Sequence, residues 1–315
     1  MKILANDGID PLGKRLLEQA GFTVDTNHIP QEELAQRLQE YDAITVRSAT
    51  KVRKEVIDAC PNLKLIGRGG VGMDNIDVEY ARERGITVVN TPAASSLSVA
   101  ELVFAHLLGG VRFLYDAQRK MPVEGGTNFG GLKKAYAKGK ELRGKTLGVI
   151  GFGRIGRETA KVGLGLGMDV IVSDLFEVPK TLQLSLSGGV IVDVPIKQVE
   201  LNELLQQADF ISLHVPYTEK PIIGEAELGL VKPGVGIVNA SRGGVIDELA
   251  LIAALDSGKV AFAGMDVFDN EPTPRKELLG HPKVSLTPHI GAATEEAQER
   301  IGEELANLII QHLTK

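Results

Sequence analysis

The sequence has almost no cysteine and no surplus of positive charge, and each shortage removes a class of protein. Cys60 is the only cysteine among 315 residues, so an internal disulfide is impossible. No Cys/His cluster has zinc-site spacing, and no metal is expected. Lys and Arg number 35 against 41 Asp and Glu, a net charge of -6, which leaves no basic field for nucleic acid or anionic lipid. No apolar run reaches the roughly 18 residues of a membrane span. The start "MKILAND" reads as a first strand and not a signal peptide, so a cytoplasmic protein is expected. What remains is a globular composition, 43% hydrophobic and 24% charged. Its 315 residues exceed the span of one typical domain and predict two.

Short apolar runs separated by helix-length amphipathic segments set the organisation. "KILA", "FTVDT", "AITVR", "LKLIG" and "ITVVN" read as strands, with helices around residues 11–20, 31–39, 52–59 and 76–84. Such alternation of Val, Ile and Leu runs with helices predicts a mostly parallel sheet covered on both faces. "LSVAELVFAHLLGGVRFLY" is apolar around most of a helix circumference, as in a buried linker or interface helix. Ser98 with Glu101 matches a capping box there, with Ser95 or Ser96 as alternative starts. A second alternation follows in "KTLGVIG", "DVIVSD", "FISLHVP", "GIVNAS", "VAFAGMD" and "VSLTPH". It closes with an amphipathic helix carrying Ala297, Ile301, Leu305 and Leu308. The expected fold class is α/β, with two doubly wound parallel-sheet domains.

Directly after the strand "TLGVI", Gly151, Gly153 and Gly156 form GxGxxG. Glycines there permit a tight turn and close approach of backbone N–H groups to a pyrophosphate, with a helix N-terminus behind it. The next strand ends at Asp174, near the distance at which an acid bonds the adenosine ribose. A carboxylate at that point repels a 2′-phosphate by about 1 kcal/mol at ~4 Å in water, so NAD is expected in preference to NADP. Farther along, Arg242, Glu271 and His289 each fall just beyond a strand, where ligands of open α/β sheets bind. Individually they read as a turn arginine, a solvated carboxylate and a core histidine. Together they supply a cation for an anionic substrate, a carboxylate to hold a histidine tautomer, and a proton acceptor near neutral pH.

The ordered set "GFGRIG", "LHVP", "VNASRGGVID", "AGMDVFDNEP" and "TPHIGAAT", with "VRSATKV" and "GRGGVGMDNID" earlier, resembles the NAD-dependent D-2-hydroxyacid dehydrogenase family over nearly the whole chain. That resemblance implies a Rossmann-type nucleotide domain at 96–290, inserted in a smaller flavodoxin-like substrate domain made of 1–95 and 291–315, with the site in the cleft between them. It implies a homodimer through the nucleotide domain. His289 becomes the acid/base catalyst, Glu271 its orienting partner, and Arg242 the group that binds the substrate carboxylate and polarises the C2 oxygen. Gly151, Gly153, Arg154, Ile155, Gly156, Asp174, His214, Val215, Pro216, Ala240, Asp266, His289 and Gly291 are assigned to the cofactor, with Asp266 on the nicotinamide carboxamide. Gly70, Val71 and Gly72 are assigned to the substrate anion. His28, His106, His281 and His312 keep the structural reading.

Within that family the first-half motifs are most similar to phosphoglycerate dehydrogenases, which open serine synthesis. The similarity assigns Arg47 and Ser48 to the substrate, Arg68 to its phosphate, and Lys134, contributed across a dimer, to the same phosphate. A glyoxylate or hydroxypyruvate reductase would keep the trio without a phosphate site. An NAD-sensing corepressor would carry tail segments that are not evident, and formate dehydrogenases place glutamine where Glu271 stands. Ending after the closing helix, the chain is not expected to carry a regulatory domain. "TLQLSLSGGVIVDVPIKQ", residues 181–198, reads as an additional hairpin around "SGG", with no function assigned.

Overall fold

The alternation of apolar runs and helices closes into two parallel sheets, seen in a computed structural model that describes residues 1–314. The first sheet is laid down by β1 (Lys2–Ala5), α1 (Pro11–Gln19), β2 (Thr23–Asp25), α2 (Gln31–Arg37), β3 (Ala43–Val46), α3 (Lys54–Ala59), β4 (Leu65–Arg68), α4 (Val78–Glu83) and β5 (Thr87–Asn90). Three helices follow, α5 (Ser96–Val111), α6 (Leu114–Glu124) and α7 (Phe129–Ala135). The second sheet comes from β6 (Thr146–Ile150), α8 (Arg154–Gly165), β7 (Asp169–Ser173), β8 (Thr181–Ser185), β9 (Ile191–Pro195), β10 (Lys197–Gln198), α9 (Leu201–Gln207), β11 (Phe210–Leu213), α10 (Glu225–Leu230), β12 (Val235–Asn239), α11 (Glu248–Asp256), β13 (Val260–Met265), α12 (Lys276–Leu279) and β14 (Val284–Leu286). The last element is α13 (Glu295–Leu313).

Contacts divide the chain into a terminal unit, Met1–Ser96 with the segment from Ala292 on, and a central unit, Leu97–Gly291. The terminal unit holds the sheet β2-β1-β3-β4-β5 and the central unit the sheet β10-β7-β6-β11-β12-β13-β14, parallel at every pairing. Each order reverses once, between β1 and β3 or between β6 and β11, which opens a crevice beyond the strand carboxyl ends. Every residue of β3, β11 and β12 is buried, because helices cover both faces and leave no side for polar alternation. In the terminal unit Leu305, Ala306 and Ile309 of α13 pack with Ile3, Leu65 and Val89.

Local chemistry fixes the helix starts. Asp10 accepts the Leu12 N–H ahead of Pro11, Asp247 accepts those of Leu249 and Ala250, and Thr294 accepts that of Ala297. Each such cap is worth about 1 kcal/mol. The expected cap at Ser98 is corrected, since α5 begins at Ser96 and Ser98 lies inside its first turn. On α13 Ala297, Ile301 and Leu305 are buried as expected, but the next core side chain is Ile309, and Leu308 is only partly buried. The hairpin read at 181–198 spans β8 and β9, turning where Leu186 N–H donates to Val190 O at 2.8 Å. Its last residues depart from that reading: Lys197 and Gln198 pair in parallel with β7 instead. Among the described residues no single helix is long and apolar enough to cross a membrane, and no cluster of potential metal ligands occurs.

Candidate active site

At the carboxyl end of β6 the chain must turn within three residues into α8. Gly151 has φ +87°, and a Cβ there would run into the His214 carbonyl; one on Gly156 would strike the Gly151 carbonyl. Both positions are therefore closed to larger residues. Around Gly153 nothing lies within 4 Å of a Cβ position, and the α8 N-terminus has no side-chain cap. Its first N–H groups are thus left for an external acceptor, the geometry an anionic pyrophosphate needs. Arg154 is exposed and Ile155 half-buried at this turn.

Asp174 follows β7 with one carboxylate oxygen accepting Phe152 N–H at 2.6 Å and the other accepting Phe176 N–H at 3.0 Å. Each oxygen keeps a lone pair for a ribose hydroxyl. Gln198 pins the same loop: its amide donates to Asp174 O at 3.3 Å and Phe176 O at 2.9 Å, and accepts Val178 N–H at 3.0 Å. Val215 is half-buried, Pro216 exposed and Ala240 buried. The His214 ring meets Ser212 Oγ at 2.8 Å through Nε2, and its Nδ1 has no partner among the described residues. Burial pushes its pKa down to about 3, so the ring is neutral. These residues fit an adenine dinucleotide.

The second cluster sits beyond β12, β13 and β14. His289 Nδ1 and Glu271 Oε2 are 2.8 Å apart, and Glu271 Oε1 accepts Phe268 N–H at 2.8 Å. Burial alone would raise the Glu271 pKa, but the hydrogen bonds from His289 and Phe268, with the charges of His289 and Arg242, bring it below the usual value. An ionised Glu271 accepts only, so the proton on the neutral imidazole lies on Nδ1 and Nε2 keeps its lone pair. Arg242 Nη1 donates to Ser241 O at 2.6 Å, and Asn239 folds this turn by donating to Arg242 O and accepting Ser241 N–H.

His289 stands at φ +55°, a conformation that costs a non-glycine residue on the order of 1 kcal/mol. Asp266 holds it there. The Asp266 carbonyl accepts His289 N–H at 2.8 Å, while its carboxylate, 1% exposed, accepts Ile290 N–H, Gly291 N–H and the Thr287 hydroxyl at 2.8, 2.8 and 2.6 Å. The residue expected on the nicotinamide thus also builds the turn, which its place in "AGMD" gave no means of reading. Glu248 escaped the sequence reading too: buried on α11, it accepts Asp269 N–H at 2.8 Å and so steadies the loop carrying Glu271.

In the terminal unit Asp7 accepts Arg47 N–H, Thr50 N–H and the Thr50 hydroxyl, while the Arg47 guanidinium makes no hydrogen bond or ion pair among the described residues. Ser48 is exposed. Arg68, expected at a phosphate, turns back and donates through Nη1 to the Gly69 carbonyl, over Gly70. Val71 is exposed and Gly72 partly so. Lys134 is exposed in the last turn of α7.

Residues 104–291 match the family described as D-isomer specific 2-hydroxyacid dehydrogenase, NAD binding domain. The chain is 44% identical over 318 positions to a hydroxypyruvate reductase of Thermotoga maritima, covering 99% of this chain and 98% of that one. It is 43% identical over 311 residues to a D-3-phosphoglycerate dehydrogenase of Methanocaldococcus jannaschii, where the match spans 98% of this chain and only 57% of the relative. A D-lactate dehydrogenase of Aquifex aeolicus, solved with NAD and lactic acid, superposes with a TM-score of 0.77 at 30% identity, over 100% of this chain and 98% of that one.

Proposed function

We propose that this chain, which belongs to the D-isomer specific 2-hydroxyacid dehydrogenase family and is an NAD-dependent oxidoreductase, oxidises D-3-phosphoglycerate to 3-phosphohydroxypyruvate, the entry reaction of serine synthesis. The observation that carries the chemistry is the His289–Glu271 pair with Arg242 close enough to lower the same carboxyl. Nε2 of His289 takes the proton of the C2 hydroxyl, Glu271 stabilises the imidazolium that forms, and Arg242 binds the substrate carboxylate. NAD, when bound, supplies the hydride acceptor. Asp174 binds the adenosine ribose, the α8 N-terminus the pyrophosphate, and the Gly70–Gly72 backbone the substrate anion.

The phosphate reading rests on the Arg47 guanidinium, uncommitted among the described residues, and on Lys134. A second reading, hydroxypyruvate or glyoxylate reduction, is favoured by Arg68 being engaged with its own loop and by the full-length match to a hydroxypyruvate reductase. An NAD(H)-linked absorbance screen over 3-phosphoglycerate, phosphohydroxypyruvate, hydroxypyruvate, glyoxylate and D-lactate separates them. A kcat/KM at least roughly tenfold higher for phosphohydroxypyruvate than for hydroxypyruvate, the worth of one good ionic hydrogen bond, supports the first; parity or the reverse order supports the second. A second copy of the chain covers Leu108, Leu114, Met121, Val123 and Phe129, exposed apolar residues that follow one another on α5 to α7. Sedimentation of a monomer would remove that dimer.

A further inference from the structure

His106 sits on α5, 3% exposed, between Val103 and Leu107 of the apolar core. A Cβ on Gly264 would collide with the His106 side chain, so only glycine there lets α5 lie this close to β13. An imidazole in such surroundings costs free energy unless both nitrogens are bonded. Both are: Nδ1 is 2.9 Å from Ser285 Oγ and Nε2 is 3.0 Å from Thr287 Oγ1.

The hydrogen bonds of the neighbours fix the direction of these contacts. The Thr287 hydroxyl gives its single proton to Asp266 Oδ1 at 2.6 Å, so towards His106 it can only accept. Nε2 of His106 is therefore the protonated nitrogen, and Nδ1 accepts from the Ser285 hydroxyl. Burial favours this neutral form, against the opposing pull of the Asp266 charge. A continuous series of donors results, from Ser285 through His106 and Thr287 into the carboxylate that holds residues 287 to 291.

We infer that His106 is a positioning residue for the acid/base turn: its Nε2–H occupies the Thr287 oxygen and keeps the Thr287 proton aimed at Asp266, which fixes the left-handed His289. Without it, Thr287 is a half-buried rotor with an empty acceptor, and the only side-chain hydrogen bond that Asp266 receives among those described is no longer held in direction. The inference rests on His289 being the proton-moving residue.

The test uses the NAD-saturated enzyme on its fastest substrate, with His106→Leu, His106→Gln, Thr287→Val and the double variant His106→Leu/Thr287→Val. One lost neutral hydrogen bond corresponds to roughly a fivefold fall in kcat for His106→Leu. His106→Gln, which returns an N–H donor at the Nε2 position, recovers most of that fall, and the double variant is no slower than Thr287→Val alone. Unchanged kcat in a folded His106→Leu, equal losses in the Leu and Gln variants, or losses that multiply in the double variant would each overturn the inference. Should the Leu variant not fold, 15N NMR of histidine-labelled wild-type enzyme decides: the Nε2–H tautomer is expected, and an Nδ1–H tautomer overturns it. His289→Ala is measured alongside. Retained turnover there removes both readings, whereas lost turnover with a silent His106→Leu removes only this one.

Discussion

Asp7 in the terminal unit and Asp266 in the central unit each follow a parallel strand and each hold a neighbouring loop with three hydrogen bonds to their carboxylate. The two loops differ in what they must sustain. Asp7 is half-buried and ties down the backbone at Arg47 and Thr50 in ordinary conformations, while the Arg47 guanidinium is unengaged among the described residues. Asp266 is fully buried and supports a histidine at φ +55°. A residue in a costly conformation persists only where its surroundings over-determine it, which explains the buried charge and the further layer of Thr287 and His106 behind it. A flexible cation on a loop of ordinary backbone conformation needs no such support.

The largest effect that would break this contrast is expected from the residues the loops present. His289→Ala should lower kcat by a factor of roughly 10²–10⁴, the usual worth of a positioned acid/base group. Arg47→Ala should act mainly on KM for the acid substrate. A steady-state comparison in which both variants change the same parameter would erase the distinction. Glu271→Gln comes next, with kcat down roughly tenfold to a hundredfold for one charge-assisted hydrogen bond. The Gln variant no longer favours imidazolium, so the acid limb of the oxidation profile should move to lower pH; an acid limb in the wild-type position would contradict the pairing. Because the folded-state pKa of Glu271 is depressed, the stability it contributes is present above the ordinary carboxylate pKa. It is lost as pH falls through the lower folded value.

The two carboxylates can be compared directly. Asp266→Asn and Asp7→Asn each set an amide donor against donors and should each cost about 1–3 kcal/mol in denaturant melts. Only the first should also depress kcat, and the second should appear in KM. The smallest effect is expected for Lys134→Ala, an exposed side chain, which should raise KM for phosphorylated substrate by less than about fivefold at low salt and leave hydroxypyruvate unaffected. Equal changes on both substrates would remove its phosphate role.

The sheets were legible because parallel strands buried on both faces announce themselves as apolar runs, and strand ends read from "AITVR" or "FISLHVP" lie within a few residues of those observed. Helices α6 and α7 escaped: α6 buries no residue and α7 only Leu132, so neither has a core-facing side to anchor a reading of its bounds. Glu271 and His289 were legible as chemical types beyond strands, and the structure sets them 2.8 Å apart. Their support was not. The contact of His106 with Thr287 links residues 181 positions apart, and a histidine inside an apolar helix carries no local sign of what it bonds. The engagement of Arg68 with the Gly69 carbonyl was equally hidden, since a guanidinium near a glycine-rich loop can serve that loop's carbonyl as well as an external phosphate.

The placement of α13 has a consequence for biosynthesis. One face of the first sheet is completed by Leu305, Ala306 and Ile309, and α1 packs against the same helix. A ribosome delivers the strands of that sheet first, then every residue of the central unit, and only afterwards the helix that covers them. The central unit can fold as soon as it emerges, since its strands and helices are contiguous in the chain. The earlier-made sheet must wait for that helix, and the part of its apolar face that α13 covers stays open while the whole central unit is made.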